Sequence, residues 1–240
     1  MNAKIFYSLL TFILIFCQSE LLASENSSLL HEADSLFENK RYTESSILYE
    51  KLFKNGYYSP RMLIRLSLIQ EGLGDYTMAL YYLEVYYSKI PEREVLKKMD
   101  ELASRYNLEG YDYNDLVFFV SLYKEYHIYI IIVFLGASLF YLLYLFVKKK
   151  RGRNVGLRTV FFMLILGAIY ILSNYDIIPP RGIVNKDAVL MSAPSAGSDR
   201  IGHINKGHRL SIRSQKDIWC KVVWRGQVAY IRENNLLFVQ

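Results

Sequence analysis

The chain has 240 residues, 52% of them hydrophobic, with a formal net charge of +6 and two cysteines. That length admits one large domain or two small ones, and a single cysteine outside the N-terminal apolar segment excludes a disulfide framework. The apolar residues are gathered into long runs, which excludes an ordinary soluble domain.

The first run is "IFYSLLTFILIFC", Ile5–Cys17, behind a single Lys4. It is short for a membrane span and suits the core of a signal peptide, with the small Ala23 and Ser24 following at a cleavage distance. Residues 1–23 are therefore expected to be a signal peptide; the alternative is a retained anchor. Bulky Phe16 before Cys17 does not fit a lipoprotein site.

An internal repeat follows. "NKRYTESSILYEKLF" (Asn39–Phe53) and "LGDYTMALYYLEVYY" (Leu73–Tyr87) align at an offset of 34 residues, matching Tyr42 with Tyr76, Ser45 with Ala79, Tyr49 with Leu83 and Leu52 with Tyr86. The preceding segments align too, Leu29 with Leu63 and Ala33 with Ser67. The period, the Gly-Asp-Tyr, the small residue three positions on and the closing Pro91 resemble the tetratricopeptide repeat. Lys40 stands where the turn glycine of that family is expected. The resemblance implies pairs of antiparallel helices over residues 25–125, with small Ser45 and Ala79 at the close helix contact and Tyr76 and Tyr86 as packing. Tyr81, Tyr82 and Tyr87 exceed what a two-repeat core needs, and some of them are expected to face a neighbour. "EREVLKKMDELASRY" (Glu92–Tyr106) reads as the next helix, and a further helix opens near Asp115. The family's concave face, carried onto this chain, selects Ser27, Leu30, Asp34 and Phe37 in the first repeat and Arg61, Ile64, Leu68 and Glu71 in the second, as partner-binding positions.

Residues 128–147 run for twenty positions without a charge, enough for about 30 Å of hydrocarbon. Residues 159–175 form a second uncharged run of seventeen. Between them, residues 148–158 carry six Lys/Arg, and no Asp or Glu occurs from Tyr126 through Tyr175. Two transmembrane helices are expected, and the positive-inside rule puts the basic loop in the cytoplasm. Both flanking regions are then exported.

After "NYDIIPPRG" the pattern changes to short alternating runs: "RLSIRS" (Arg209–Ser214), "DIWCKVVW" (Asp217–Trp224) and "QVAYIRE" (Gln227–Glu233). Five or so strands over residues 181–240 suggest a small barrel. "VLMSAPSAGSDRIGHINKGHRLSI" followed by "WCKVVWRGQVAYI" resembles the bacterial SH3 domain. Met191 stands where that family has arginine, and Ala229-Tyr230 where it has Gly-Trp. The resemblance implies a groove whose aromatic candidates are Trp219, Trp224 and Tyr230. Cys220 reads as a buried strand thiol. His203 and His208 read as turn and rim residues, because no ligand partner stands at metal spacing. Residues 25–126 carry 17 Asp/Glu against 12 Lys/Arg, and residues 181–240 carry 10 Lys/Arg against 4 Asp/Glu. Opposite fields of this kind can steer association.

No motif supports an enzyme, a cofactor or a metal site. The fold class expected is a multi-domain membrane protein with an α-helical tetratricopeptide repeat array, two transmembrane helices and a small all-β SH3-like barrel. That order of parts resembles the BatE family of the Bacteroides aerotolerance (Bat) system. The resemblance implies a non-enzymatic inner-membrane scaffold linked to stress tolerance, with both modules in the periplasm. Its partners would be other Bat-type membrane proteins and the lipid bilayer, with no nucleic acid. The alternative is peptidoglycan binding or envelope sensing through the SH3-like domain.

Overall fold

The computed structural model describes residues 26–112, 115–151, 156–174 and 180–239. The expected signal peptide, residues 1–23, and residues 152–155 of the basic loop lie outside the described residues. The chain divides into two compact units between Tyr86 and Tyr87.

The first unit is helical: α1 (26–38), α2 (Tyr42–Lys54), α3 (Pro60–Gly72) and the start of α4 (Tyr76–Lys89). Local chemistry sets the boundaries. Ser59 accepts the Met62 N–H at 3.2 Å with Pro60 in the first helical turn, the usual way to satisfy a helix's orphan donors. Asp75 caps α4 in the same manner through the Met78 N–H. Between helices of a pair the chain turns by one motif used twice. After α1 the Arg41 N–H returns to the Leu36 carbonyl and the Lys40 N–H to Phe37; after α3 the Asp75 N–H returns to Gln70 and the Gly74 N–H to Glu71. This pair of bonds is a Schellman closure and needs a left-handed residue. Lys40 (φ 62°) and Gly74 (φ 81°) supply it, 34 positions apart. Lys40 thus takes the turn glycine's conformation without being glycine.

Close packing follows from small residues. The Ser45 hydroxyl donates to the Ala33 carbonyl at 2.8 Å, and Ser45, Ala33 and Ala79 are all fully buried. Tyr49, Leu52, Met62, Leu63 and Leu66 complete the apolar interior. The expected division of the tyrosines is corrected here. Tyr82 is only 2% exposed and Tyr87 is equally buried, while Tyr76 and Tyr81 are half-buried. Phe53 sets its edge against Tyr82 (5.5 Å between centroids) and Tyr81 (6.1 Å). Burial pushes the Tyr82 phenol well above the usual tyrosine range. The reason is that α4 is buried at every position from 82 to 87, Glu84 included; a helix buried all round has no spare face for surface aromatics.

The second unit carries the rest of α4, α5 (Arg93–Arg105), α6 (Asp115–Lys150), α7 (Gly156–Asn174) and seven strands. α5 ends in the same closure, with Asn107 at φ 53° and the Leu108 N–H on the Ala103 carbonyl. α6 is 36 residues of unbroken helix, about 54 Å at 1.5 Å per residue. Its Glu125–Lys150 part is long and apolar enough to cross a membrane, and Thr159–Ile171 in α7 is a shorter apolar helix. The two helices touch through Tyr141 and Phe162, 5.4 Å between centroids. Leu145 and Phe162 are buried, whereas Val133, Phe140 and Phe146 are widely exposed.

The strands are β1 (Arg181–Val184), β2 (Ala188–Met191), β3 (Arg200–Ile204), β4 (Arg209–Lys216), β5 (Trp219–Trp224), β6 (Gln227–Arg232) and β7 (Leu236–Val239). They form one antiparallel sheet in the order β3-β2-β6-β5-β4-β1-β7. The three alternating runs read from sequence are β4, β5 and β6. The flanking β1 and β7 are additional strands, too short for an alternation to register. Arg225 and Gly226 both have positive φ in the two-residue β5–β6 turn, as a primed hairpin turn requires. Irregularities in register after Ile212 and Leu190 bend the sheet. Its inner face gathers Val184, Leu190, Ile204, Leu210, Ile212, Cys220, Val222, Ile231 and Leu236 into one core drawn from all seven strands. Cys220 is fully buried, as expected, and burial raises its thiol pKa.

Two predictions follow from the helical unit. Tyr82→Ala removes a buried ring and is expected to cost about 3–5 kcal/mol, comparable with the several kcal/mol expected of Ala79→Arg. Urea unfolding checks both, and a Tyr82→Ala loss below about 1 kcal/mol would place the ring at the surface. Lys40→Gly relieves a left-handed residue and is expected to raise stability by up to about 1 kcal/mol, whereas Gly74→Ala lowers it by a similar amount.

Candidate functional site

The concave-face residues separate into three groups. Asp34, on α1, is tied into a polar hub: it accepts from the Tyr49 hydroxyl at 2.5 Å and from Arg65 at 2.8 Å. Arg65, on α3, is buried, pairs with Glu38, and lies 4.4 Å from the Phe37 ring centroid. Arg61 joins the hub from outside through Glu38 at 3.2 Å. Asp34 and Arg61 therefore hold α1 against α3. Arg65 was not among the sequence candidates; a lone arginine between Ile64 and Leu66 carries no pattern that separates a hub from a solvated charge.

Phe37 and Leu68 form the second group. They line a groove of about 590 Å³ with Lys40, Tyr42, Thr43, Ile69, Gly72 and Leu73. The groove sits where the α1–α2 turn faces the end of α3. Tyr42 closes one wall by an edge contact with Phe37, 5.3 Å between centroids. Leu68 and Leu73 are 50% and 57% exposed, and two large side chains open to water beside an aromatic pair mark an interaction surface better than a scattered one. Tyr42 and Leu73 were missed as lining residues, because both fall at turn positions outside the first helices. Ser27, Leu30, Ile64 and Glu71 make up the third group and do not line this groove; Ser27 is exposed and the other three half-buried.

In the second unit, register divides the three aromatic candidates. Trp224 shares strand parity with Cys220 and Val222 and packs against the inner core. Trp219 lies opposite Arg232, and Tyr230 opposite Lys221, so both belong to the outer face. Trp219 lines a hollow of about 310 Å³ with Met191, Arg200, His203 and Arg232 among others, and the Arg232 guanidinium lies 5.4 Å from its ring centroid. Trp224 and Tyr230 do not line that hollow. A single groove built from Trp219, Trp224 and Tyr230 is thus ruled out by the pleat.

A second feature of this unit joins segment 109–111, just before α6, to the sheet. The Glu109 N–H donates to Nδ1 of His208 at 2.9 Å, and the Arg209 N–H donates to the Glu109 carbonyl at 3.1 Å. Arg209 Nε donates to the Gly110 carbonyl at 2.6 Å, and the Tyr111 hydroxyl to the Gly207 carbonyl at 2.8 Å. The Glu109 carboxylate accepts a forked pair from Arg225. Arg209 also lies 4.7 Å from the Tyr111 ring centroid. Gly110 is at φ 96°, and a Cβ there would stand 2.2 Å from the Arg209 carbonyl oxygen, so only glycine lets the two backbones meet. His208, expected at a rim, is 8% exposed, with the edge of the Trp224 ring 5.1 Å away. Burial lowers its pKa against the pull of Glu109, and hydrogen bonding from Arg225 holds the Glu109 carboxyl below the usual range. The sequence signal for this clamp is only the Gly in "NLEGYDYND".

Among the described residues no cluster of three or more His, Cys, Asp or Glu could hold a metal ion. No protein-family model matches the chain, and no curated protein matches it.

Arg65→Met is expected to destabilise the first unit by roughly 2–4 kcal/mol, because it leaves Asp34 and the Tyr49 hydroxyl short of a partner. The double variant with Asp34→Asn should recover part of that loss in urea unfolding; strict additivity would show that the two residues do not act as one hub.

Proposed function

We propose that the chain is a non-enzymatic inner-membrane scaffold of the BatE type, presenting a repeat module and an SH3-like module in the periplasm to protein partners of an envelope complex. The groove of Phe37, Tyr42, Leu68 and Leu73 carries this reading. It offers apolar and aromatic area to a partner segment. Repeat arrays of paired helices bind chiefly through such extended surfaces.

The clamp supports the two-span topology. Segment 109–111 precedes α6, and the sheet follows α7. If α6 crosses the bilayer, the two can bond only when the chain returns through α7. Its nineteen residues cover about 28 Å, of which Thr159–Ile171 is the apolar part, a short crossing against roughly 30 Å of hydrocarbon. The basic loop then lies in the cytoplasm by the positive-inside rule. The outer-face hollow with Trp219, Arg200 and Arg232 favours one alternative, a sheet that grips peptidoglycan directly.

Thiol labelling of whole cells is expected to modify a cysteine at Ser198→Cys and to spare one at Asn154→Cys; the reverse pattern would sink the topology. Cross-linking in intact membranes should yield partner adducts that Leu68→Lys and Leu73→Lys abolish and Trp219→Ala leaves intact. Adducts that survive the leucine variants, together with salt-resistant sedimentation on peptidoglycan that Trp219→Ala removes, would select the wall-binding reading instead.

A further inference from the structure

The clamp brings together residues 99 positions apart in the chain through one imidazole. Nδ1 of His208 is the acceptor in its bond from Glu109, so the ring must be neutral, with its proton on Nε2. A protonated ring would present an N–H to the Glu109 N–H, and two donors repel. No rotation of the side chain repairs this, because the ring is buried against Trp224.

We propose that His208 makes the clamp a proton-operated latch, in which segment 109–111 is held to the sheet while the imidazole is neutral and released when it is protonated. The geometry places the switch at the contact between the peptide N–H of Glu109 and the imidazole just before β4. Two charged groups act on the ring: Glu109 from the segment, which favours protonation, and Arg225 from the β5–β6 turn, which opposes it. Arg209 and Tyr111 are the other titratable groups of the contact. Glu109 stays ionised across mildly acidic pH, because Arg225 holds its carboxyl low.

The sign follows from linkage. The closed state holds His208 below its ordinary pKa, chiefly by burial, and opening returns the ring to about 6.5. The open state therefore binds more protons. The latch is fully effective above about pH 6.5 and weakens as pH falls, by up to about tenfold per pH unit, until the closed-state pKa is reached. Loss of the Glu109–Arg225 pair belongs to a separate window, below the ordinary carboxylate range of about 4.3. The latch is a property of the chain itself. Its use as a detector of outside acidity rests on the exported reading above.

The segment leads straight into α6, while the sheet is joined to α7 by residues 175–180. Closed, the sheet is held to the segment that precedes α6; open, these bonds are lost.

Hydrogen exchange on the full chain in detergent tests the latch, with protection factors corrected for intrinsic pH dependence. From pH 7.5 to 5.5, protection at the Glu109 and Arg209 amides should fall, by up to about tenfold, while amides in the β5–β6 ladder keep theirs. His208→Asn places a carbonyl oxygen near the Nδ1 position without a titrating group, and should abolish the pH dependence. Gly110→Ala, which cannot close, should leave Glu109 unprotected at both pH values and raise the His208 pKa, read from its ring-proton NMR shift, towards 6.5. A His208 pKa at or above 6.5 in the wild-type chain would overturn the proposal. So would unchanged protection at pH 5.5, or the same loss in His208→Asn. Each readout is independent of topology and of partner binding.

Discussion

A backbone-to-backbone approach between Glu109-Gly110 and Arg209 governs how the second unit is built. It is possible only because Gly110 has no Cβ and can adopt φ 96°, and it is closed at either side by His208 and Arg225. Arg225 itself sits in the left-handed region at φ 48°, a conformation that costs a non-glycine residue about 1–2 kcal/mol. The primed hairpin turn demands that conformation, and the Glu109 pair lies at the same corner. One short segment thus links the hairpin turn, the start of β4 and the beginning of a 36-residue helix.

The helical unit depends on a different device. Its helices approach through Ala33, Ser45 and Ala79, and small side chains at the contact let main chains come close enough for the Ser45 hydroxyl to reach the Ala33 carbonyl. The polar hub of Asp34, Tyr49 and Arg65 sits beside this contact. A buried arginine tolerates that environment only with its donors satisfied, and here Asp34, Tyr49, Glu38 and the Phe37 face do so. The consequence for function is positional. With Asp34 and Arg65 committed to one another, Leu68 and Leu73 in the groove at the turn remain open to water, and on the proposed reading that groove is what engages a partner.

Much of the architecture was legible in the chain. The 34-residue period located the paired helices and the left-handed turns at Lys40 and Gly74. The uncharged run located α6, and period-two alternation located β4, β5 and β6. These signals are local: each depends on spacing within one element or one repeat. The two strands β1 and β7 were not legible, since four residues hold too few alternations and the pairing that creates them is long-range.

The candidate sites were legible only in part, for the same physical reason. Sequence named Phe37 and Leu68, which meet in the groove, but grouped them with Asp34 and Arg61, which are bound up in ion pairs. It left the place of Tyr82 open, whereas α4 is enclosed along that stretch. It also grouped Trp219, Trp224 and Tyr230, which the pleat assigns to opposite faces. The sequence by itself determined the paired helices, the long apolar helix and the strands β4, β5 and β6, because helix caps, glycine turns and hydrophobic runs act over a few residues. The tertiary structure alone decided which side chains face one another: the Asp34–Arg65 hub, the groove wall of Tyr42 and Leu73, and the meeting of Gly110 with Arg209. Those contacts join residues tens to a hundred positions apart, and no spacing along the chain encodes the approach of two such surfaces.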